Sequence, residues 1–272
     1  MQNSSKNSAN LTKLTRLDTI KKTLFVGKEF YHFPELASTN DYAIELTSKS
    51  KPSEGTVIST YKQVLGKGQA GSKWESEPDK NIAMSLILHP KFIAARDQFV
   101  LNQAISLGVL DFVKNYISSD AKIKWSNDIY IFDKKVAGIL IQNSLISKNI
   151  QSSIIGVGMN INQTIFKSDA PNPTSFKLET GNDFDLDELL EMLCWKIEMR
   201  YLQLKANATE KIKVEYLDNL YRYMEDALYQ IPGEEVFQGR IIGIGEFGRL
   251  MIESKNGIQK FDTKQIKFTH NH

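Results

Sequence analysis

One cysteine, Cys194, in 272 residues has nothing to pair with inside the chain. That excludes an intrachain disulfide framework and suits a reducing compartment, so the cytoplasm is the expected location. No apolar run reaches the ~18 residues of a transmembrane helix, and no membrane association is expected. The four histidines, His32, His89, His270 and His272, show no metal-ligand spacing and belong to no Ser-His-Asp or Cys-His set. Basic and acidic residues number 34 and 32, a net charge of +2, without the concentrated basic face of a nucleic-acid binder. What remains is a chain with 41% hydrophobic residues, enough for one large core and a small companion domain.

The first residues are rich in Asn, Ser, Thr and Lys and lack the apolar stretch of a secretory signal. Basic and acid-poor, they could suit an organellar transit peptide, but Arg16 is their only arginine. Residues 1–28 therefore read as a variable or poorly ordered extension, residues 29–227 as the main domain and residues 228–272 as a small β domain. Ser38, Thr39 and Asn40 are good N-cap residues before a helix. Residues 56–61 and 82–88 read as strands, 97–116 as a long amphipathic helix, and 121–162 as mostly strand. Leu186, Leu189, Leu190, Leu193, Ile197 and Leu204 keep helical spacing after Asp185, which with Glu188 resembles a capping box. Cys194 lies inside that stripe and reads as core. A further helix is expected over 210–226, followed by short strands and turns.

Gly66-Lys-Gly-Gln-Ala-Gly71 and Gly243-Ile-Gly-Glu-Phe-Gly248 both match G-x-G-x-x-G. Neither is followed by a helix start, which a dinucleotide site requires. The second reads as a turn between strands. The first carries Lys67 and Lys73 and reads either as an exposed loop or as an anion-binding loop whose bare backbone amides approach a ligand closely.

Lys124, Asn127, Asp128 and Lys135 fall within twelve residues amid strand-like apolar sequence. A site that holds an anion and a nucleotide accounts for so much fixed polarity. With them stand Ala37-Ser-Thr-Asn40, Gln63 running through the loop to Trp74, Lys135-Val-Ala-Gly138, and Gly156-Val-Gly-Met-Asn-Ile-Asn162. In this order and spacing the four segments resemble the biotin–protein ligases, in the short form without a DNA-binding domain, from about Ser38 to Asn162.

The resemblance implies an α+β fold: a class II synthetase-like catalytic domain with a mixed, mainly antiparallel sheet, helices packed against it and the site on the opposite, open face. A small C-terminal SH3-like β-barrel completes it. It implies ATP-dependent activation of biotin as biotinyl-5'-AMP and transfer to a lysine of a biotin carboxyl carrier domain, with ATP, biotin and magnesium required. Homodimers are frequent in such families. Carried over by position, Ser38, Thr39, Asn40, Gln63 and Gly138 resemble biotin contacts, and Lys67-Gly68-Gln69 a loop that closes over biotin and phosphate. Lys135 resembles the lysine that reaches the biotin carboxylate and α-phosphate, with Lys124 and Lys67 as further suppliers of positive charge. Trp74 resembles the aromatic cover of the adenine. Asn127, Asp128 and Asn160 resemble residues around ATP and its magnesium, whose ligands stay open.

Each position also has a plainer reading. Ser38, Thr39 and Asn40 could be helix caps, Lys135 a solvated strand-end lysine, Trp74 a core anchor, and Asp128 a turn former. The loop reads Gly-Lys-Gly-Gln at 66–69, where the family commonly has Gly-Arg-Gly-Arg or Gly-Arg-Gly-Gln; Ser126 stands where proline is usual, and Gln142 where glutamate is frequent. These departures bear on turnover and retention of the adenylate. A lipoate–protein ligase would carry an Arg-Arg-x-x-Gly-Gly-Gly run, absent here. The 37 residues before Ser38 look too polar for a helix-turn-helix repressor domain. A biotin-binding pseudoenzyme is the third alternative.

Overall fold

The computed structural model describes residues 20–117, 120–168 and 172–269. Its centre is β3 (Asn81–Leu88), a strand buried at all eight positions. Alternation sorts its side chains: Ile82, Met84, Leu86 and Leu88 enter the main core, while Ile87 joins a smaller cluster on the other face. Around it runs a seven-stranded sheet that adds β1 (Phe30–Phe33), β2 (Val57–Thr60), β4 (Ala121–Lys124), β5 (Asp128–Ile131), β6 (Lys134–Ile146) and β7 (Asn149–Asn160), in the order β1-β2-β3-β7-β6-β5-β4. Only β1 and β2 pair in parallel, so the sheet is mixed and mainly antiparallel, as expected.

The main core is closed by α2 (Phe99–Tyr116), α4 (Leu186–Lys205) and α5 (Thr209–Asp218). At Gly108 the approach of α2 to α4 is so close that a Cβ would lie 2.9 Å from Ile197 Cα. Cys194 is fully buried in this layer. The Asp185 carboxylate caps α4 by accepting from the amides of Asp187 (2.9 Å) and Glu188 (3.2 Å). The opposite face is not wholly open. There α1 (Thr39–Lys49) packs Ala43 against Phe33, Ile58, Ile87 and Ile154 and leaves only part of the face for a site. The short helix α3 (Phe176–Thr180) follows β7.

The helix expected over 210–226 ends at Asp218. The chain then runs beside β4, where Ile123 N–H donates to Asn219 O and Tyr221 N–H to Ile123 O, both at 2.8 Å. Sheet pairing outcompetes helix propensity there. A second, antiparallel sheet follows: β8 (Asp226–Gln230), β9 (Val236–Ile244), β10 (Leu250–Ser254), β11 (Gly257–Phe261) and β12 (Lys267–Phe268), in the order β11-β10-β9-β8-β12. Among the described residues no pairing joins β11 to β12 to close the expected barrel. The second glycine motif is the turn between β9 and β10, as expected. No helix among the described residues is long and apolar enough to cross a membrane.

The extension read over residues 1–28 needs correction at its end; residues 1–19 lie outside the described residues. Ile20 and Val26 are fully buried. The carboxylate of Glu198, itself 1% exposed, accepts from the backbone amides of Leu24 (2.7 Å), Phe25 (2.8 Å) and Val26 (2.9 Å). Those residues are thereby fastened to α4. Truncation in Glu198→Ala strands these amides, and hydrogen bonds to a charged group contribute roughly 1.5–3 kcal/mol each. A loss of about 3 kcal/mol or more is expected in urea denaturation; a change below about 0.5 kcal/mol would show that the segment is not anchored this way.

Candidate active site

The open part of the sheet face carries two adjoining cavities. The first, about 230 Å³, lies between the N-terminus of α1, the 66–74 loop and the middle of β6 and β7. Ser38, Thr39 and Asn40 line it from buried positions. Ser38 caps α1, accepting from Asp41 N–H at 3.3 Å, so the plainer capping reading holds for that residue alongside its place in the cavity. Gln63 Oε1 accepts from Thr39 N–H (2.9 Å). Ser85 on β3 lies 2.8 Å from Thr39 Oγ1 and 2.5 Å from Asn40 Oδ1, and Asn40 Nδ2 donates to Gln142 Oε1 at 3.0 Å. This chain of hydroxyls and amides fixes the wall of the cavity before any ligand arrives. Ser85 escaped the sequence reading, although a lone serine in a wholly buried apolar strand is a signal, because it must find a partner.

The second cavity, about 550 Å³, is bounded by Trp74, Lys124, Asp128, Tyr130, Lys135 and Asn160, with Glu75 and Phe166 at its edge. Ser72, Lys73, Trp74, Asp128 and Lys135 line both cavities. Lys135 Nζ lies 2.7 Å from Asp128 Oδ1, the two side chains 24% and 23% exposed, and 5.4 Å from the centre of the Trp74 ring. A solvated strand-end lysine is thus ruled out. Its backbone is pinned on one side by residues 172–174: Lys135 N–H donates to Asn172 O (2.8 Å) and Thr174 N–H to Lys135 O (2.9 Å).

Trp74 is seated on bare backbone rather than in the core. Gly138 and Gly158 pair directly across β6 and β7. A Cβ on Gly158 would come within 2.5 Å of the indole, and one on Gly138 within 3.0 Å. Any larger residue at either place would lift the ring. The indole Nε1 and Asn160 Oδ1 are buried without partners, an arrangement that points to groups a ligand supplies. Asn160 Nδ2 is already used, donating to Thr174 O at 2.9 Å.

Other expected residues sit differently. Lys67 is 55% exposed and pairs with Asp41 of α1 at 2.7 Å; with Gly68 and Gln69 it lines the first cavity only. Asn127 lines the first cavity, together with Trp74 and Asp128, and its amide is bound to the Ile139 carbonyl and to Ser126 Oγ (3.1 Å). Its polarity serves to fix the turn between β4 and β5. Thr263 and Lys264, from the turn between β11 and β12, also reach the first cavity. Nothing in their local sequence marks them, because only the docking of the second sheet brings them there.

Lys124 is drawn into largely apolar surroundings. Its Nζ donates to Tyr130 OH at 2.9 Å and lies over the rings of Tyr130 (4.6 Å) and Phe268 (5.1 Å). Burial pushes its pKa below the usual lysine range; Asp128 opposes this, while Lys135 and Arg222 add to it.

A family model for the biotin/lipoate A/B protein ligase family matches residues 33–160, the span that supplies most of both cavities. Over that span the chain carries a domain that matches this family. It is 29% identical over 252 residues to the bifunctional ligase/repressor BirA of Bacillus subtilis, covering 90% of this chain and 76% of that protein. It is 27% identical over 240 residues to the biotin–[acetyl-CoA-carboxylase] ligase of Paracoccus denitrificans, covering 85% of this chain and 97% of the relative. The fold is that of the biotin protein ligase from Aquifex aeolicus solved with biotin and ATP, with a TM-score of 0.73 and 24% identity over 90% of this chain and all of that one.

Among the described residues of this ligase no three His, Cys, Asp or Glu side chains cluster as a metal site. Magnesium does not need such a cage, since it is commonly held by one or two carboxylates together with substrate phosphates. Asp128 and the unpartnered Asn160 Oδ1 are oxygen donors on the second cavity and fit that role.

The lowered pKa of Lys124 has a consequence for stability. Between the folded value and the ordinary ~10.4, the unfolded chain binds more protons, so stability rises with pH through that window and the penalty is full below it. Lys124→Met should therefore stabilise the ligand-free ligase at neutral pH and flatten the alkaline rise, as read by denaturation at several pH values. A less stable variant at pH 7 would contradict this reading.

Proposed function

We propose that the chain activates biotin with ATP to biotinyl-5'-AMP and passes the biotinyl group to a lysine of a biotin carboxyl carrier domain. The observation that carries this is the position of Lys135, whose ammonium stands where a cavity lined by Ser38, Thr39, Asn40 and Gln63 adjoins a cavity that also holds Lys124. A ureido ring offers rigid donors and acceptors, and Ser38, Thr39, Asn40 and Gln63 supply partners of both kinds. A dithiolane ring would leave those groups unanswered, which disfavours lipoate.

In the first step a biotin carboxylate oxygen attacks the α-phosphorus, the bond to the bridging oxygen breaks, and pyrophosphate leaves. Two anions must meet, and Lys135 offsets their repulsion where the cavities join. Lys124 is held ready for the polyphosphate. Burial lowers its pKa in the empty site, and an arriving anion would raise it again. Magnesium, when bound, would neutralise further phosphate charge, with Asp128 and Asn160 as its protein ligands. Trp74 offers its ring to the adenine and its indole N–H to a ligand acceptor. In the second step the carrier amine attacks the acyl carbon, AMP leaves and the nitrogen loses a proton, giving the amide. No protein nucleophile is needed, since the substrate carboxylate is itself the nucleophile.

With ATP, magnesium and biotin, the purified protein is expected to exchange labelled pyrophosphate into ATP and to biotinylate a carrier-domain lysine. Lys135→Ala should slow the exchange at least tenfold, from the value of a charged hydrogen bond. Lys124→Met should weaken ATP binding about ten- to a hundredfold on the same basis. Exchange driven by lipoate and not by biotin would overturn the assignment.

A further inference from the structure

The turn between β4 and β5 is held from three directions. Trp125 Nε1 donates to Gly248 O of the second sheet (2.9 Å), Tyr216 OH of α5 donates to Ser126 O (3.3 Å), and Ile139 N–H donates to Asn127 O (2.9 Å). From this fixed point the Ser126 hydroxyl faces the 66–74 loop, with Oγ 3.3 Å from the Gln69 amide oxygen and 3.1 Å from Asn127 Oδ1. A hydroxyl carries one hydrogen and cannot serve both acceptors. Asn127 is oriented unambiguously, since its Nδ2 must face the Ile139 carbonyl, which only accepts. The Ser126 hydrogen therefore goes to Asn127 Oδ1, and Ser126 Oγ is left as an acceptor. Turning the Gln69 amide over presents Nε2 to it. The result is a directed chain from Gln69 through Ser126 and Asn127 to the Ile139 carbonyl on β6.

We propose that Ser126 is a positioning residue that latches the 66–74 loop over the first cavity through Gln69, in the absence of any ligand. The other side-chain tether from this loop to α1, Lys67 to Asp41, is an exposed ion pair, of a kind that contributes little. The loop closes on itself through Trp74 N–H to Gly66 O (2.9 Å) and Gly68 N–H to Ser72 O (2.7 Å), so it opens as a unit about its ends. The Ser126 contact is then the one that sets how often it opens. For catalysis, and here the inference rests on the function proposed above, a latched loop retains the reactive adenylate until the carrier arrives.

The test is limited trypsinolysis of the full, ligand-free chain, following cleavage after Lys67 and Lys73, with the exposed Lys255 in the β10–β11 turn as internal reference. Ser126→Ala is expected to raise the rate at the two loop sites about three- to tenfold, the worth of one hydrogen bond in an opening equilibrium, without change at Lys255. Gln69→Leu should do the same, the double variant should open no further than either single one, and Ser126→Thr should restore protection. Unchanged loop cleavage in both single variants, or an equal rise at all three sites, would overturn the latch; should Ser126→Ala fold poorly, Gln69→Leu decides alone. In a second arm, Ser126→Ala should release several times more biotinyl-adenylate into solution, with pyrophosphate exchange at saturating ligands retained. Release equal to the parent's would overturn the retention role. If the parent protein showed no biotin-dependent exchange, the proposed function would fall while the trypsin result would still judge the latch.

Discussion

The ion pair between Lys135 and Asp128 is the constraint around which the site is arranged. Both side chains are mostly withdrawn from water, and neither charge could stay there alone at small cost. The pair keeps an ammonium between two cavities while they are empty. An arriving anion can compete for Lys135, and a cation brought with phosphates can compete for Asp128. The pair is thus a resting arrangement whose partners can each be taken over by a ligand.

The surrounding architecture serves that arrangement. Gly138 and Gly158, facing each other on β6 and β7, give Trp74 a flat seat, and the indole lies within reach of Lys135. The wall of the first cavity is a continuous hydrogen-bonded chain from Gln63 to Gln142 through Thr39, Ser85 and Asn40, so its donors and acceptors are already in place. Placement before binding is what lets fixed dipoles and charges act without reorganising. The buried position of Lys124 is the cost of the same design: a lysine whose pKa burial lowers is held charged less easily in the empty site than in water.

Much of this was legible in the sequence because it depends on local pattern. The helical stripe of α4, its Asp185 cap and the buried run of β3 follow from spacing and capping chemistry. The four polar segments also meet in space as their order suggested, with Ser38, Thr39, Asn40, Gln63, Trp74, Asp128 and Lys135 on two adjoining cavities. What escaped depends on tertiary contact. The helix reading over 210–226 overshot because pairing with Ile123 takes the chain after Asp218, and the burial of Ile20 and Val26 is visible only once Glu198 is seen beneath them. Thr263 and Lys264 arrive with the second sheet. Gln69, where arginine is the common alternative, and Ser126, where proline is usual in the family pattern, are far apart in the chain and touch in the structure. Read singly they look like two weakenings; together they form one contact.

The central claim is that one ammonium serves both cavities. Titration calorimetry of wild type and Lys135→Ala, with biotin alone and with a non-hydrolysable ATP analogue and magnesium alone, addresses it directly. The substitution is expected to weaken both ligands, each by about tenfold or more. Full-strength binding of either ligand to the variant would contradict it.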